Sequence, residues 1–332
     1  MKNKTIIIAE AGVNHNGNFN LAKKMIVKAA KIGADYIKFQ TFSADRLVTR
    51  FAKKPNYSQN KKENIFQHEM LKKLEIKDKD ILKLKKICKA NKIGFLSSAF
   101  DIESLKILNS INLDYFKVPS GEINNVPYLR YLAKLNKKVI LSTGMSNLKE
   151  ISFALSILKK AGLNKKKIFL LQCNSEYPSP LIDANLRVLG LFKKKFNVKI
   201  GYSDHTPGIE ASIAAVSLGA KIIEKHFTLN KSFKGPDHKA SLDLEEFRKL
   251  VISIRKVETT LGKSEKKITL SEKKNINFIR KSLVAKLTIK KGERFNEKNL
   301  TCKRPGTGKS PSLWDFYVGK KAKKNYEKDE LI

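Results

Sequence analysis

Two lysines, Lys38 and Lys117, lie inside short and otherwise apolar segments of the sequence. A lysine buried there needs an anionic partner, because an unpaired charge is expensive to remove from water. That partner is either a carboxylate of the chain, Glu10 or Glu122, or the phosphate or carboxylate group of a ligand. The ligand interpretation is favoured, because hydroxyls at nearby segment ends could complete an anion site. These hydroxyls belong to Ser98, Ser120 and Ser142.

Two histidines, His205 and His226, end neighbouring apolar segments further along the chain. A lone histidine is more often a hydrogen-bonded polar residue than a metal ligand. Two at adjacent segment ends, followed by Asp237 and His238, form a candidate site for a divalent metal ion. Two imidazoles leave coordination positions open for water and a substrate oxygen, as a Lewis-acid role requires. The sequence therefore predicts metal ligation by His205 and His226.

These residues belong to an α/β pattern in which short apolar segments alternate with longer amphipathic ones. Eight repeats of strand and helix predict a closed (β/α)8 TIM barrel over residues 1–262. Barrel enzymes carry their active sites at the carboxyl ends of the strands, where all eight segments bear polar or charged groups. The predicted strands are 5–11, 35–41, 94–98, 115–119, 139–143, 168–174, 199–203 and 221–226. The predicted helices include 20–32, 81–91, 126–134, 148–161 and 208–218.

Three regions depart from this alternation. Residues 46–73 form a long polar insertion after the second predicted strand, and a loop of this length on that side of a barrel is more often functional than not. Residues 263–281 are polar and charged, which predicts a linker with a helical turn. Short strand-like pieces over 282–332 predict a compact second domain. At about 50 residues, such a domain would be marginally stable alone.

Charge is the unusual feature of the composition. The chain has 68 Lys and Arg residues against 31 Asp and Glu residues, a formal net charge of +37. A field of this size attracts anions and leaves open a different class of protein, one that binds polyanions or nucleic acid. The lysines are spread along the whole chain and accompany no nucleic-acid-binding motif. A lysine-rich, solvated surface is therefore favoured, and no specific nucleic-acid partner is expected.

Other features of the composition bear on location and cysteine chemistry. The longest apolar runs fall short of the roughly 20 residues of a membrane span. The apolar stretch near the start is too short for a signal sequence and is interrupted by Glu10. We therefore expect a cytoplasmic protein without a membrane partner. Cys88, Cys173 and Cys302 form no CxxC pair, so we expect small buried apolar residues rather than disulfides or zinc ligands.

At the level of longer motifs, the chain resembles the N-acetylneuraminate (sialic acid) synthase family, which includes the N,N'-diacetyllegionaminate synthases. The matching stretches follow the family's order and span nearly the whole chain, which makes the resemblance specific. They read IAEAGVNHNG (8–17), KFQTF (38–42), KVPSGE (117–122), LSTGM (141–145), GYSDHT (201–206), EKHFT (224–228), GPDH (235–238) and KRPG (303–306).

The resemblance implies a fold, an assembly and a reaction. The fold is a TIM barrel followed by a small antifreeze-like (SAF) domain, and the assembly is a domain-swapped homodimer in which the small domain of one chain caps the barrel of the other. The reaction condenses phosphoenolpyruvate with an N-acylated amino sugar to give a nonulosonic acid. The methylene carbon of phosphoenolpyruvate attacks the open-chain aldehyde, water adds to the resulting oxocarbenium carbon, and phosphate leaves with C–O cleavage.

The resemblance also implies roles for individual residues. Glu10 would lie near the reacting carbons and assist proton movement, and His205 and His226 would act in catalysis by binding Mn2+, with Mg2+ or Co2+ as alternatives. The residues implied to hold phosphoenolpyruvate are Lys38, Ser98, Lys117, Ser120, Ser142 and Ser175. The residues implied to contact the sugar are Gln40, Tyr177, Asp237 and, from the partner chain, Arg304.

Four positions depart from the family pattern. In the stretch SSAF, Ser98 stands where threonine is usual but keeps a hydroxyl, and Ala99 stands where proline is usual. Ser175 falls where some relatives carry asparagine, and Thr307 falls where asparagine is common. These changes leave the reaction class intact and the sugar open. N-acetylmannosamine would give N-acetylneuraminate, a 2,4-diacetamido-trideoxymannose would give N,N'-diacetyllegionaminate, and the altrose isomer would give pseudaminate.

Overall fold

The computed structural model describes residues 4–54 and 66–332. Pro55, Tyr57 and Gln59, part of the predicted insertion, lie outside the described residues. The chain divides into two compact units, residues 1–262 and residues 263–332. Within the described ranges, no helix is both long and apolar enough to cross a membrane.

Eight parallel strands of the first unit close into a barrel, as the alternating pattern predicts. Each strand pairs with the next one in the sequence, and β8 pairs with β1. The strands are β1 (Ile6–Gly12), β2 (Tyr36–Thr41), β3 (Gly94–Ala99), β4 (Tyr115–Val118), β5 (Lys138–Ser142), β6 (Ile168–Cys173), β7 (Lys199–Asp204) and β8 (Ile222–His226).

Amphipathic helices cover the outside of this barrel. Several begin at side-chain caps that satisfy free backbone N–H groups, including reciprocal capping boxes at Asn147 with Glu150 and at Asp243 with Glu246. The helices of the first unit are α1 (Phe19–Lys31), α2 (Ala44–Leu47), α3 (Gln67–Lys72), α4 (Asp78–Ala90), α5 (Ile102–Ser110), α6 (Val126–Lys134), α7 (Leu148–Lys160), α8 (Val188–Phe196), α9 (Glu210–Ser217) and α10 (Leu244–Leu261). The insertion predicted over 46–73 thus contains α3 and the end of α2.

Side chains inside the barrel change from apolar to polar along each strand. Successive residues of a strand point to opposite faces, so Ile222, Glu224 and His226 share one face of β8. An inner layer of apolar side chains, which includes Ile8 and Ile222, fills the amino-terminal half of the barrel. The register places Glu10 level with Lys38 on one side and with His226 on the other. The polar residues therefore gather in one layer at the carboxyl ends.

The second unit has its own small core. It contains α11 (Leu270–Lys273), α12 (Ile276–Ile279), an antiparallel pair of strands, β9 (Ser282–Ala285) and β10 (Leu300–Lys303), and α13 (Trp314–Tyr317). Leu283, Ile289 and Phe295 are buried in a cluster of apolar side chains. The unit begins at residue 263, so it includes the segment 263–281 that the sequence predicts as a linker.

Candidate active site

A pocket of about 440 Å³ opens at the carboxyl ends of the barrel strands. This volume lies within the range of roughly 300–1,000 Å³ found for small-molecule sites. Twelve residues for which the sequence predicts a role line this one pocket. They are Glu10, Lys38, Gln40, Ser98, Lys117, Ser120, Ser142, Ser175, Tyr177, His205, His226 and Asp237.

Four buried charged groups form a chain of ion pairs at the base of the pocket. Lys38 Nζ lies 2.8 Å from Glu10 Oε2 and 3.7 Å from Glu224 Oε2, and Lys117 Nζ lies 3.3 Å from Glu224 Oε1. Lys38 therefore pairs with Glu10, one of the two carboxylates that the sequence offers as partners of the buried lysines. Lys117 pairs with Glu224 rather than with the other one, Glu122. The carboxylate of Glu122 accepts a hydrogen bond from Asn125 instead. Two lysines and two glutamates leave the base of the pocket without net charge when all four are ionised.

The two glutamates differ in proton affinity. Burial raises the pKa of Glu10 to about 7, although Lys38 acts in the opposite direction. Burial would also raise the pKa of Glu224, but Lys117 and Lys38 together hold it at about 2. Glu10 can therefore exchange a proton near neutral pH, while Glu224 remains a carboxylate.

Hydroxyl groups surround the lysines. Ser98 Oγ accepts a hydrogen bond from Lys38 Nζ at 2.9 Å, and Ser120 Oγ accepts one from the backbone N–H of Gly144 at 3.0 Å. Ser142 Oγ is buried without a hydrogen-bond partner. Because buried hydroxyls are normally hydrogen-bonded, an unpartnered one that lines a pocket points to a ligand. Lysines with hydroxyls form an arrangement that can bind phosphate or carboxylate oxygens.

The two predicted metal ligands lie side by side. The ring centroids of His205 and His226 are 5.3 Å apart, and the Tyr177 ring lies 4.1 Å from that of His205. Nδ1 of His205 contacts the carbonyl oxygen of Asn174. Nδ1 of His226 is buried without a hydrogen-bond partner and lies 3.8 Å from Asp237 Oδ2. Both imidazoles thus line the pocket.

These residues fit a divalent cation. Burial, followed by the proximity of His205, lowers the pKa of His226 well below its usual value, and a neutral imidazole is the form that binds metals. Burial also acts to lower the pKa of His205, but Cys173 and the carbonyl oxygen of Asn174 outweigh it and raise that pKa, so a cation at His205 must displace a proton. The unpartnered Nδ1 of His226 supplies a free lone pair. Over the described parts of the chain, no three His, Cys, Asp or Glu side chains form a metal-binding group. The residues present therefore offer a cation two imidazole ligands, and its other coordination positions would be filled by water or substrate oxygens.

Some polar residues of the pocket have no role predicted from the sequence, among them Glu224 and Cys173. Glu224 could have been found, because its position two residues before His226 places both side chains on one face of β8. Cys173 is buried, as predicted, but its Sγ faces the site, 3.8 Å from Ser120 Oγ and 3.9 Å from His205 Nδ1. A larger cavity, of about 1150 Å³, adjoins this side and shares Cys173 and Ser175 with the pocket.

Arg304 belongs to the second unit. It is exposed there, and its Nε donates a hydrogen bond to the carbonyl oxygen of Ile279 at 2.9 Å. Its predicted contact with the sugar through a partner chain stays a prediction.

Comparison with known proteins gives matches over both units. A model of the NeuB family matches residues 25–266, and a model of the SAF domain matches residues 280–332. The chain is 52% identical over 330 residues to the N,N'-diacetyllegionaminic acid synthase of Campylobacter jejuni, covering 99% of each chain. It is 42% identical to the N,N'-diacetyllegionaminic acid synthase of Legionella pneumophila, covering 96% of this chain and 90% of that one.

A solved structure shows the same likeness. The N-acetylneuraminic acid (sialic acid) synthetase of Leptospira borgpetersenii, in complex with citrate, is 36% identical, with a TM-score of 0.72. The alignment covers 82% of this chain and 90% of that one.

Proposed function

Because this chain belongs to the NeuB family, we propose that it condenses phosphoenolpyruvate with an N-acylated amino sugar and releases phosphate. The observation that carries the proposal is the pair of buried lysines, Lys38 and Lys117, which meet several serine hydroxyls at the carboxyl end of a TIM barrel. We propose 2,4-diacetamido-2,4,6-trideoxymannose as the sugar and N,N'-diacetyllegionaminate as the product. The 52% identity to a synthase of that name supports this choice.

Phosphoenolpyruvate binds at the base of the pocket in this proposal. Lys38 and Lys117 supply positive charge to its phosphate and carboxylate oxygens, and the unpartnered hydroxyl of Ser142 donates to one of them. Lysines fixed in a low-dielectric site stabilise the charge that grows on the departing phosphate without having to reorganise during the reaction. Glu224 remains ionised and holds the two ammonium groups in place.

In this proposal His205 and His226 would hold a divalent ion, with Mn2+ as our first choice, and its chemistry there would be Lewis-acid polarisation of the aldehyde of the open-chain sugar. Binding of the sugar and proton transfer fall to side chains of the protein. Gln40, Tyr177 and Asp237 orient the sugar, and Glu10 takes up or gives a proton at its carboxylate. The pKa of about 7 at Glu10 suits such exchange near neutral pH.

Phosphate release tests this reaction. Purified protein is incubated with phosphoenolpyruvate and Mn2+, with either N-acetylmannosamine or the diacetamido sugar, and with or without a chelator. We expect release that requires both metal and sugar, together with a product of the mass of the nonulosonic acid. The absence of release with either sugar, from folded and metal-loaded protein, would refute the proposal.

We further propose that the protein acts in the cytoplasm, where phosphoenolpyruvate is produced, as a homodimer in which Arg304 of one copy contacts the sugar bound by the other. Two variants, Lys117→Met and Arg304→Ala, test the exchange. Each should be strongly impaired alone, and their mixture, after dissociation and reassembly, should regain activity in one of two sites. If each chain used its own Arg304, the mixed dimer would contain no intact site and would stay as impaired as the single variants.

A further inference from the structure

One side of the active-site pocket is formed by a hydrophobic cluster that is separate from the barrel core. Three of its side chains are buried and the others are partly buried. None carries a nitrogen or oxygen atom, so this surface offers a ligand only weak hydrogen-bonding capacity at a thioether sulfur. We call six of its members the apolar wall: Val13, Phe42, Met70, Leu71, Leu74 and Phe100.

The position of the apolar wall follows from the order of the elements. Val13, Phe42 and Phe100 come directly after β1, β2 and β3, and Met70 and Leu71 belong to α3. The wall therefore borders the pocket above the first three strands. The two imidazoles border it at the ends of β7 and β8.

The apolar wall also lies further from the barrel interior than the lysines do. Lys38 and Lys117 are inside their strands, whereas the wall residues follow the strand ends. The reacting carbon of the sugar must lie next to phosphoenolpyruvate and the imidazoles. The remote carbons of the sugar then extend outward, where the wall lines one side of the pocket with apolar side chains.

We propose that the apolar wall receives the C6 methyl group of the sugar, so that the site selects a 6-deoxy amino sugar over its 6-hydroxylated counterpart. This inference rests on the proposed condensation reaction. A methyl group replaces water at the wall and gains apolar contact. A hydroxyl placed against these six side chains loses its hydrogen bonds to water and finds no strong partner among them.

The expected discrimination is moderate. An apolar pocket rejects a ligand that merely adds a hydroxyl by up to about 100-fold in kcat/KM. We expect a preference of about 10-fold to 100-fold for the 6-deoxy sugar. A site built from hydrogen-bonding groups would instead discriminate against the deoxy sugar, and more steeply.

A matched pair of substrates isolates the C6 hydroxyl. The pair consists of 2,4-diacetamido-2,4,6-trideoxymannose and 2,4-diacetamido-2,4-dideoxymannose, which differ in that one atom. The measurement is kcat/KM for each sugar at saturating phosphoenolpyruvate and Mn2+. A preference for the 6-deoxy sugar is expected, and equal rates or a preference for the hydroxylated sugar would overturn the role of the wall while leaving the condensation reaction standing. Turnover of neither sugar would overturn the inference, and the condensation reaction would fall with it if N-acetylmannosamine also gave no phosphate release.

Variants assign the preference to the wall. Met70→Gln keeps the side-chain length and adds an amide that can hydrogen-bond the hydroxyl, so the 6-deoxy preference should fall by at least about fivefold. Leu71→Asn serves as a second variant if the first folds poorly. Leu82→Gln, at a 45% exposed position on α4, is the control and should leave the ratio unchanged. A 6-deoxy preference that survives both wall substitutions in folded protein would overturn the inference.

Discussion

A buried ion pair outside the pocket, between Asp204 and Lys225, offers a quantitative test of how the barrel holds its histidines. Lys225 Nζ lies 2.9 Å from Asp204 Oδ2, and both side chains are at most 1% exposed. The two residues immediately precede His205 and His226 in the sequence. The same lysine donates a hydrogen bond to the carbonyl oxygen of Thr206 at 2.6 Å. The pair thus ties the end of β7 to the end of β8.

The perturbation is Lys225→Met, which keeps the length of the side chain and removes its charge. Removing one partner of a buried pair costs about 3–5 kcal/mol, because the other charge stays buried without compensation. Asp204 keeps hydrogen bonds from the Thr206 backbone N–H at 2.9 Å, the Thr206 hydroxyl at 2.7 Å and the Ser212 hydroxyl at 2.5 Å. We therefore expect a loss near the lower end, about 3 kcal/mol in the free energy of unfolding.

Urea unfolding followed by far-UV circular dichroism measures this loss. The double variant Asp204→Asn with Lys225→Met carries no buried charge at the pair, so it should be more stable than the single variant by at least about 1 kcal/mol. As a control, Lys106→Met removes an exposed i,i+3 partner of Glu103 and should cause no measurable change. A Lys225→Met protein as stable as the parent, or a double variant less stable than the single one, would refute the reasoning.

Three further predictions follow from the same structure. Lys117→Met should lower kcat/KM for phosphoenolpyruvate by about 10-fold to 100-fold, the worth of a charged hydrogen bond, in a phosphate-release assay. Burial lowers the pKa of His15 to about 4 from 6.5, so the unfolded chain binds more protons and stability falls as the pH drops through that window. Urea unfolding at pH 7 and at pH 5 measures this effect. Between these two pH values, the free energy of unfolding of the His15→Gln variant should fall by about 2 kcal/mol less than that of the parent protein. A Cβ at Gly144 would collide with Ser175 Oγ and Ser120 Oγ, so Gly144→Ala should weaken phosphoenolpyruvate binding measured by calorimetry. Gly190, on α8, has open space around it, so the comparison variant Gly190→Ala should raise the free energy of unfolding by about 0.5–1 kcal/mol.

The barrel could be predicted from the sequence because its signal is local and repeated. Each strand is a short apolar segment, and each is followed by an amphipathic helix with recognisable caps, such as the Asn147 capping box before α7. Polar residues at the ends of these segments then had to converge, since parallel strands in a closed sheet share one carboxyl edge. This is why Lys38, Lys117, His205 and His226 could be assigned to one site.

The pairing inside the site could not be predicted in the same way. Lys117 on β4 pairs with Glu224 on β8, two residues that meet across the barrel interior, and no local pattern encodes a contact across the barrel. The sequence instead offered Glu122, close to Lys117 along the chain, whose side chain turns to Asn125. The apolar wall was missed for a related reason, because Met70 lies in a stretch that is polar overall.

The distribution of charge explains why composition is a poor guide to function in this protein. The formal charge of +37 attracts any anion, but the two lysines assigned to phosphoenolpyruvate are each offset by a glutamate and add nothing to that surplus. Their side chains are only 3–4% exposed, so the phosphates of a duplex cannot reach them, whereas a small anion can enter the pocket. Contacts with the surface lysines are screened by salt over about 10 Å at 0.1 M, while contacts inside the pocket are screened much less. Binding that survives high salt therefore identifies the buried lysines, and not the surface charge, as the functional ones.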